Sequence, residues 1–142
     1  MYKFSQASEA RLWGVDERLQ EIARLALSRS RIDFGIGFLG GLRTASEQYD
    51  LFLKKKSKVD GTTNRSKHQE GLAIDVVAYV DGRPRWEKEY YYMLAGTILA
   101  VAAEKGLPLR WGGDWDSDND FLDQTFNDFG HFEVANVNHN QE

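Results

Sequence analysis

Apolar side chains recur at helical spacing from Asp16 to Ser30, where Leu19, Ile22, Ala23 and Ala26 are interleaved with Arg18, Glu21 and Arg29. That spacing predicts an amphipathic helix. Phe34, Ile36 and Phe38 then alternate with small residues as a short strand does, and Gly40-Gly41 breaks the pattern. Thr44, with Glu47 three residues on, has the form of a capping box and opens a second helix through Tyr49 and Phe52 toward Lys56. A polar loop over residues 56–67 follows. Ala73 to Val80 is a near-continuous β-prone run, Asp81-Gly82 is a two-residue turn signal, and Arg83-Pro84-Arg85-Trp86 returns as a hairpin arm with Pro84 at an edge. Glu87 to Lys105 is the longest helical segment, with Tyr90, Met93, Leu94, Thr97, Ile98 and Val101 on its inward stripe and Gly106 placed to end it. Leu109 to Trp111 begins a third strand and Phe129 to Val134 forms the last. Helices and strands mix without regular βαβ alternation, which predicts an α+β fold. The expectation is one small domain over residues 1–142, its mainly antiparallel sheet packed against helices.

Composition narrows the classes of function. With 142 residues, 8 Phe, 6 Tyr and 4 Trp, the chain can close a core without disulfide staples. It has no cysteine, so thiolate zinc sites, redox dithiols and cysteine nucleophiles are excluded, and any metal must sit on His, Asp or Glu. The 18 Lys and Arg against 22 Asp and Glu leave a net charge of −4, which argues against a dedicated nucleic-acid binder. No run approaches the roughly 20 apolar residues of a membrane span. The N-terminal MYKFSQASEARLW has no basic stretch followed by an apolar one, so neither a membrane anchor nor a signal peptide is expected. A monomer needs no further assumption.

Asp75 lies in Ala73-Ile74-Asp75-Val76-Val77, a run that reads as a buried strand, and a carboxylate there needs a cation to replace its lost water. The cation is either an Arg or Lys, or a metal shared with His68, seven residues earlier across the Gly71 turn. His131, in Phe129-Gly130-His131-Phe132-Glu133-Val134, would alone read as a hydrogen-bonded core histidine. Together with His68 and Asp75 it completes two imidazoles and one carboxylate, a set that suits zinc and leaves a fourth position for water. Asp128, three residues before His131, can place a carboxylate beside that water as general base. Arg43, just after Gly40-Gly41, can hold a carbonyl oxygen or a carboxylate in its planar fork. Taken singly, these two residues read as a solvated turn aspartate and a helix-start arginine.

Asp114, Asp116, Asp118, Asp120 and Asp123 crowd five carboxylates into one loop. Two readings stand for it: an exposed, solvated acidic turn, or an irregular regulatory calcium site beside the last strand. It is not an EF-hand, because neither Asp114 nor Asp116 as first residue places Gly sixth and Glu twelfth. Trp86, Tyr90, Tyr91, Tyr92, Trp111 and Trp115 divide between core and a substrate groove, and His139 sits in a polar tail and is not read as a ligand.

Ser66-Lys67-His68-Gln69-Glu70-Gly71-Leu72-Ala73-Ile74-Asp75 resembles the Ser-x-His-x-x-Gly-x-Ala-x-Asp signature of the D-alanyl-D-alanine carboxypeptidase-like zinc peptidases, the LAS group. Gly130-His131-Phe132-Glu133 resembles that group's second metal motif, with Asp128 at the position of its catalytic acid. Within the group the likeness is to phage L-alanyl-D-glutamate endopeptidases. It runs almost end to end, through Ser8-Glu9, Asp33-Phe34, Leu42-Arg43-Thr44 and Trp111-Gly112-Gly113-Asp114-Trp115. Many members carry Glu as the base; Asp at this position favours the phage branch over the carboxypeptidases. The resemblance implies one zinc ion on His68, Asp75 and His131, Asp128 as base and Arg43 as carbonyl-binding residue, with Ser66 and Glu133 as candidates to hydrogen-bond the ligands from behind. The implied activity is that of an endolysin cleaving the stem peptide of bacterial peptidoglycan. Such a chain would stay in the host cytoplasm until it is released to the wall at lysis. Two alternatives remain: a D,D-carboxypeptidase or dipeptidase of the same group, and a noncatalytic, calcium-dependent wall-binding module.

Overall fold

The computed structural model describes residues 1–120, 122 and 128–135. Helix α1 spans Gln6–Leu12 and α2 spans Glu17–Arg29; they are followed by β1 (Asp33–Ile36), α3 (Ala45–Leu53), a single 3-10 turn (Lys67–Glu70), β2 (Ala73–Val80), β3 (Arg83–Arg85), α4 (Lys88–Lys105), β4 (Leu109–Trp111) and β5 (His131–Val134). All strand pairings are antiparallel. The sheet runs β1-β2-β5-β4, with β3 also paired to β2. The fold is therefore α+β. No helix among the described residues is long and apolar enough to cross a membrane.

Local chemistry accounts for the element ends. Asp16 caps α2 by accepting from Arg18 N, and Thr44 and Glu47 form both bonds of the capping box that starts α3. Gly106, at φ 74°, closes α4 in the left-handed conformation. Asp81 and Gly82 both take positive φ, as a primed hairpin turn requires, and β3 follows at the sheet edge with Pro84 opposite Tyr79.

Strand β2 has two unlike faces. Ile74, Val76 and Ala78 are buried in a core with Leu19, Ile22 and Ala26 of α2 and Leu94, Ile98 and Val101 of α4. Asp75, Val77 and Tyr79 take the other face and are partly exposed. The expectation that Asp75 is enclosed in a strand buried on both sides is thus corrected: it sits on the face turned away from the helices. In β5, Phe132 is fully buried while Glu133 lies on the partly exposed side.

Several boundaries and orientations differ from the sequence reading, among them the end of α3, which falls at Leu53 rather than toward Lys56. Helix α1 is an addition, the N-terminal stretch being too short to show a period. Phe38 lies beyond β1 and is 80% exposed. The last strand starts at His131 rather than Phe129. The inward stripe of α4 keeps Leu94, Ile98 and Val101 but differs at its start: Tyr91, not Tyr90, is buried, and Met93 is exposed. The reason is the Tyr91 hydroxyl, which donates to Arg85 O at 2.8 Å and accepts from Ala78 N at 3.2 Å, tying the helix start to the hairpin.

Replacing the exposed cap in Thr44→Ala removes one bond of the box and is expected to lower unfolding free energy by about 1 kcal/mol. Urea denaturation followed by circular dichroism measures it, with no change expected in the slope of the transition.

Candidate active site

Strand register builds the centre of the site. Asp75 of β2 lies directly opposite His131 of β5, so both side chains project from the same face of the sheet. His131 Nδ1 approaches Asp75 Oδ1 at 3.0 Å. His68 arrives from the 3-10 turn that leads into β2, and its Nε2 lies 3.2 Å from the same oxygen. The two imidazole rings stand 5.2 Å apart, edge to face. His68, Asp75 and His131 each offer a ligand atom, all within 4.8 Å of one another, close enough to hold one metal ion between them.

Each histidine is oriented from behind. His68 Nδ1 donates to Gly41 O at 2.9 Å, which leaves Nε2 as the nitrogen facing the cluster. His131 Nε2 contacts Glu133 Oε1 at 2.9 Å, leaving Nδ1 inward. Ser66 acts differently: its hydroxyl accepts from His68 N at 3.1 Å and caps the turn, so it positions the backbone of His68 and not the ring. Burial would push the Asp75 carboxyl up, but the charge of His68 and the hydrogen bonds of His131 and His68 outweigh it and hold it well below the usual carboxylate range. His131 is pushed up to about 10 despite its burial, by its bonds to Asp75 and Glu133.

Asp75 also has the arginine partner that the sequence left open. Its Oδ2 accepts from Arg43 Nη2 at 2.9 Å. Arg43 Nε donates to Leu39 O at 2.7 Å and Nη1 donates to Gln48 Oε1 at 2.9 Å. Three of the five guanidinium N–H groups are thereby occupied, and one on each terminal nitrogen remains for a ligand. Leu39 takes a left-handed φ of 57° to aim its carbonyl at Arg43, a strain worth about 1–3 kcal/mol for a residue other than glycine.

Gln48 is the residue that the sequence reading missed. It is completely buried, and its amide donates to Ser57 Oγ at 2.9 Å and to Val59 O at 2.8 Å while its oxygen receives Arg43. It joins Arg43 to the loop that forms the pocket rim. Helix α3 is inverted: Gln48 faces inward while Tyr49, Phe52 and Leu53 are exposed. Hydrophobic periodicity assigns such a residue to the solvent face, so the signal was a capped helix with its apolar stripe turned out.

Asp128 stands at the mouth of the same cavity, which holds about 290 Å³ and also touches Arg43, His68, Asp75, Trp115, His131 and Glu133. Its backbone is clamped: Asp128 N donates to Gly112 O at 2.9 Å, Gly112 N donates to His131 O at 2.8 Å, and His131 N donates to Asp128 O at 3.1 Å. A Cβ on Gly112 would collide with the Asp128 carbonyl oxygen, so glycine is required for this close approach. Trp111 adds a bond from its indole nitrogen to Phe129 O at 2.8 Å. Desolvation and then the Asp75 charge raise the Asp128 carboxyl pKa, against the opposing charges of His131, His68 and Arg43. A carboxyl so placed holds or yields a proton nearer to neutrality than an ordinary aspartate.

Trp115 lies 5.5 Å from the His131 ring and lines the cavity, whereas Trp111 is buried in the core and Trp86 is exposed on an adjoining groove that shares Asp75 and Asp128. In the acidic loop, Asp114, Asp116 and Asp118 come together within ligating distance of one another, and Asp120 is not in that group. Asp114 Oδ2 accepts from Asn119 N, while the buried Oδ1 has no hydrogen-bond partner among the described residues. Asp123 and His139 lie outside the described residues.

The chain has relatives among known proteins. The family model for phage L-alanyl-D-glutamate peptidases matches residues 1–135. The L-alanyl-D-glutamate peptidase of Escherichia phage T5 is 34% identical over 145 aligned residues, covering 94% of this chain and 98% of the relative. Among solved structures, the Serratia marcescens L-Ala D-Glu endopeptidase ChiX superposes with a TM-score of 0.76 at 32% identity, over 94% of this chain and 90% of its own. A vancomycin-resistance D,D-dipeptidase, solved with a D-Ala-D-Ala phosphinate analogue, shares the fold at a TM-score of 0.50 and 20% identity, over 88% of this chain and 52% of its own.

Gln48→Leu leaves Arg43 and the 57–59 loop without their shared partner. It is expected to cost about 1–3 kcal/mol of stability, read from the denaturation midpoint. Gln48→Glu, which keeps the acceptor for Arg43, is expected to lose less.

Proposed function

The chain belongs to the phage L-alanyl-D-glutamate peptidase family, and from that premise we propose that its site is a zinc centre that hydrolyses the amide bond between L-alanine and D-glutamate in the stem peptide of bacterial peptidoglycan. The observation that supports this reading is the convergence of His68 Nε2, Asp75 Oδ1 and His131 Nδ1 in a cavity that also presents the Asp128 carboxyl and the Arg43 guanidinium. Two imidazole nitrogens and one carboxylate oxygen, each histidine braced by an acceptor behind it, fit a zinc ion with one position left open. Zinc bound there would supply Lewis acidity and bring the pKa of a coordinated water toward about 7.

The chain's own residues account for the remaining steps. Asp128 accepts a proton from the attacking water and returns it to the departing D-glutamate nitrogen as the carbon–nitrogen bond breaks, so that an alanine carboxylate and a glutamate amine result. Its raised pKa suits both halves of that exchange. Arg43 donates its remaining N–H groups to the carbonyl oxygen as negative charge develops on it, and the brace from Gln48, Leu39 and Asp75 means that the fork need not reorganise. The family supports a role in host lysis, with the chain accumulating in the infected cell and meeting the wall when the inner membrane is breached.

A second reading concerns the acidic loop. The orphaned, buried Asp114 Oδ1, next to Asp116 and Asp118, favours a calcium position at this point. Burial raises the Asp114 carboxyl pKa and the neighbouring Asp116 and Asp118 raise it further, against the bond from Asn119 N, a balance that a divalent cation would reverse. Trp115, which lines the site cavity, lies between Asp114 and Asp116, so calcium would act by ordering it.

Digestion of purified wall by the zinc-loaded protein is expected to expose new D-glutamate amino termini; release of free D-alanine instead would assign the carboxypeptidase alternative. Asp128→Ala is expected to keep the fold and one equivalent of zinc while losing about 10²–10⁴-fold in rate. Unchanged lysis by that variant would remove Asp128 from the mechanism and favour the noncatalytic wall-binding alternative. For the acidic loop, a calcium-selective chelator that leaves zinc in place is expected to reduce activity, with calcium restoring it; full activity without calcium would dismiss the second reading.

A further inference from the structure

Two grooves meet at the site and differ in chemistry. The zinc-centre cavity is lined by Arg43, Lys56, Lys58, Arg65 and Lys67. These are five of the chain's 18 Lys and Arg, set against Asp75, Asp128 and Glu133 in a protein whose net charge is −4. The rest of the surface is correspondingly acidic, so the cationic lining is concentrated where the substrate enters. The second groove, of about 410 Å³, shares Asp75 and Asp128 with the first and leads away past Phe38, Trp86 and Phe129. No Lys or Arg is among its described lining residues.

The walls of this second groove are bare aromatic rings. Phe38 is 80% exposed and Trp86 is 69% exposed. Phe38 is nevertheless held: the Arg11 guanidinium, which donates to Ile36 O at 2.9 Å, lies 5.9 Å from the ring centroid. Large apolar rings fixed at the surface beside a catalytic carboxyl carry a hydration cost with no return from the core, and so mark a binding surface.

The substrate is asymmetric in the same sense. On the amino side of the scissile bond lies a single uncharged L-alanine, joined to the lactyl group of an N-acetylated amino sugar. On the carboxyl side lies D-glutamate with a free α-carboxylate, followed by residues that bear further carboxylates. One residue spans at most about 3.6 Å of extended chain, so the sugar falls within the groove that adjoins Asp128. We infer that the stem lies across the site in one direction, with the muramyl sugar and L-alanine in the groove walled by Phe38 and Trp86 and the D-glutamate-led peptide under Lys56, Lys58 and Arg65. This assignment rests on the activity proposed above and adds to it the orientation and the two recognition surfaces. Sugar C–H faces pack on the aromatic rings, and carboxylates pair with the cationic rim.

The two products are stable probes for the two grooves. Titration of zinc-loaded protein with muramyl-L-alanine is expected to shift the Trp86 indole N–H resonance, and Phe38→Ala or Trp86→Ala to raise its Kd about fivefold while leaving the D-glutamyl peptide unaffected. The double change Lys56→Glu with Lys58→Glu is expected to weaken the D-glutamyl peptide about tenfold, an effect that shrinks as salt is added, and to spare muramyl-L-alanine. All four positions are on the surface, and an unchanged amide spectrum away from each groove verifies the fold. A reversed pattern, or binding of both fragments indifferent to both sets of variants, overturns the orientation. Failure of the wild-type zinc protein to cut between L-alanine and D-glutamate would instead remove the activity on which the orientation rests, so the two failures are told apart by the wild-type digest.

Discussion

The structure depends on one pairing, that of Asp75 with His131 across strands β2 and β5. An antiparallel register places directly opposite residues on the same face with their Cβ atoms about 5 Å apart, so a carboxylate and an imidazole that are 56 residues apart in sequence become neighbours without a dedicated loop. A slip of one residue would turn His131 into the core and Phe132 out, a change that the burial of Phe132 forbids. The hydrophobic core and the polar cluster thus enforce the same alignment from opposite sides of the sheet.

Backbone, more than side-chain packing, carries that alignment to the rest of the site. Asp75 N donates to Gly40 O and Asp75 O accepts from Gly37 N, which seats the β1 to α3 connection against the strand. A Cβ on Gly40 would come within 2.8 Å of Asp75 O, so the glycine break that ends β1 is also what lets Arg43 reach the cluster. On the other side, Gly112 and Trp111 hold the turn that carries Asp128. The His68–Asp75–His131 cluster, Asp128 and Arg43 are therefore supported by separate stretches of chain that converge on one strand pair.

Much of this was legible in the sequence, and for identifiable reasons. Capping signals, the Asp81-Gly82 turn and the glycine after α4 are local chemistry, and they marked element ends to within a residue or so. His68, Asp75 and His131 stood out because polar residues in apolar runs need a partner, although spacing alone did not decide between a metal and an arginine, and Asp75 contacts both histidines and Arg43. What escaped was set by tertiary context. Gln48 lies on a helix whose apolar stripe faces outward, so periodicity argued against its burial. Tyr91 displaced Tyr90 from the inward stripe because of a hydroxyl bonded to two backbone groups of the hairpin, which no periodic pattern encodes.

The margin of the sheet formed by β3 reads Arg83-Pro84-Arg85 and pairs on one side only. Its proline offers no amide proton to an incoming strand, and the exposed Arg83 guanidinium repels a second copy of itself. At this margin the sheet resists growing by edge addition even when many copies are crowded together. The short third strand thereby closes this one margin of the sheet.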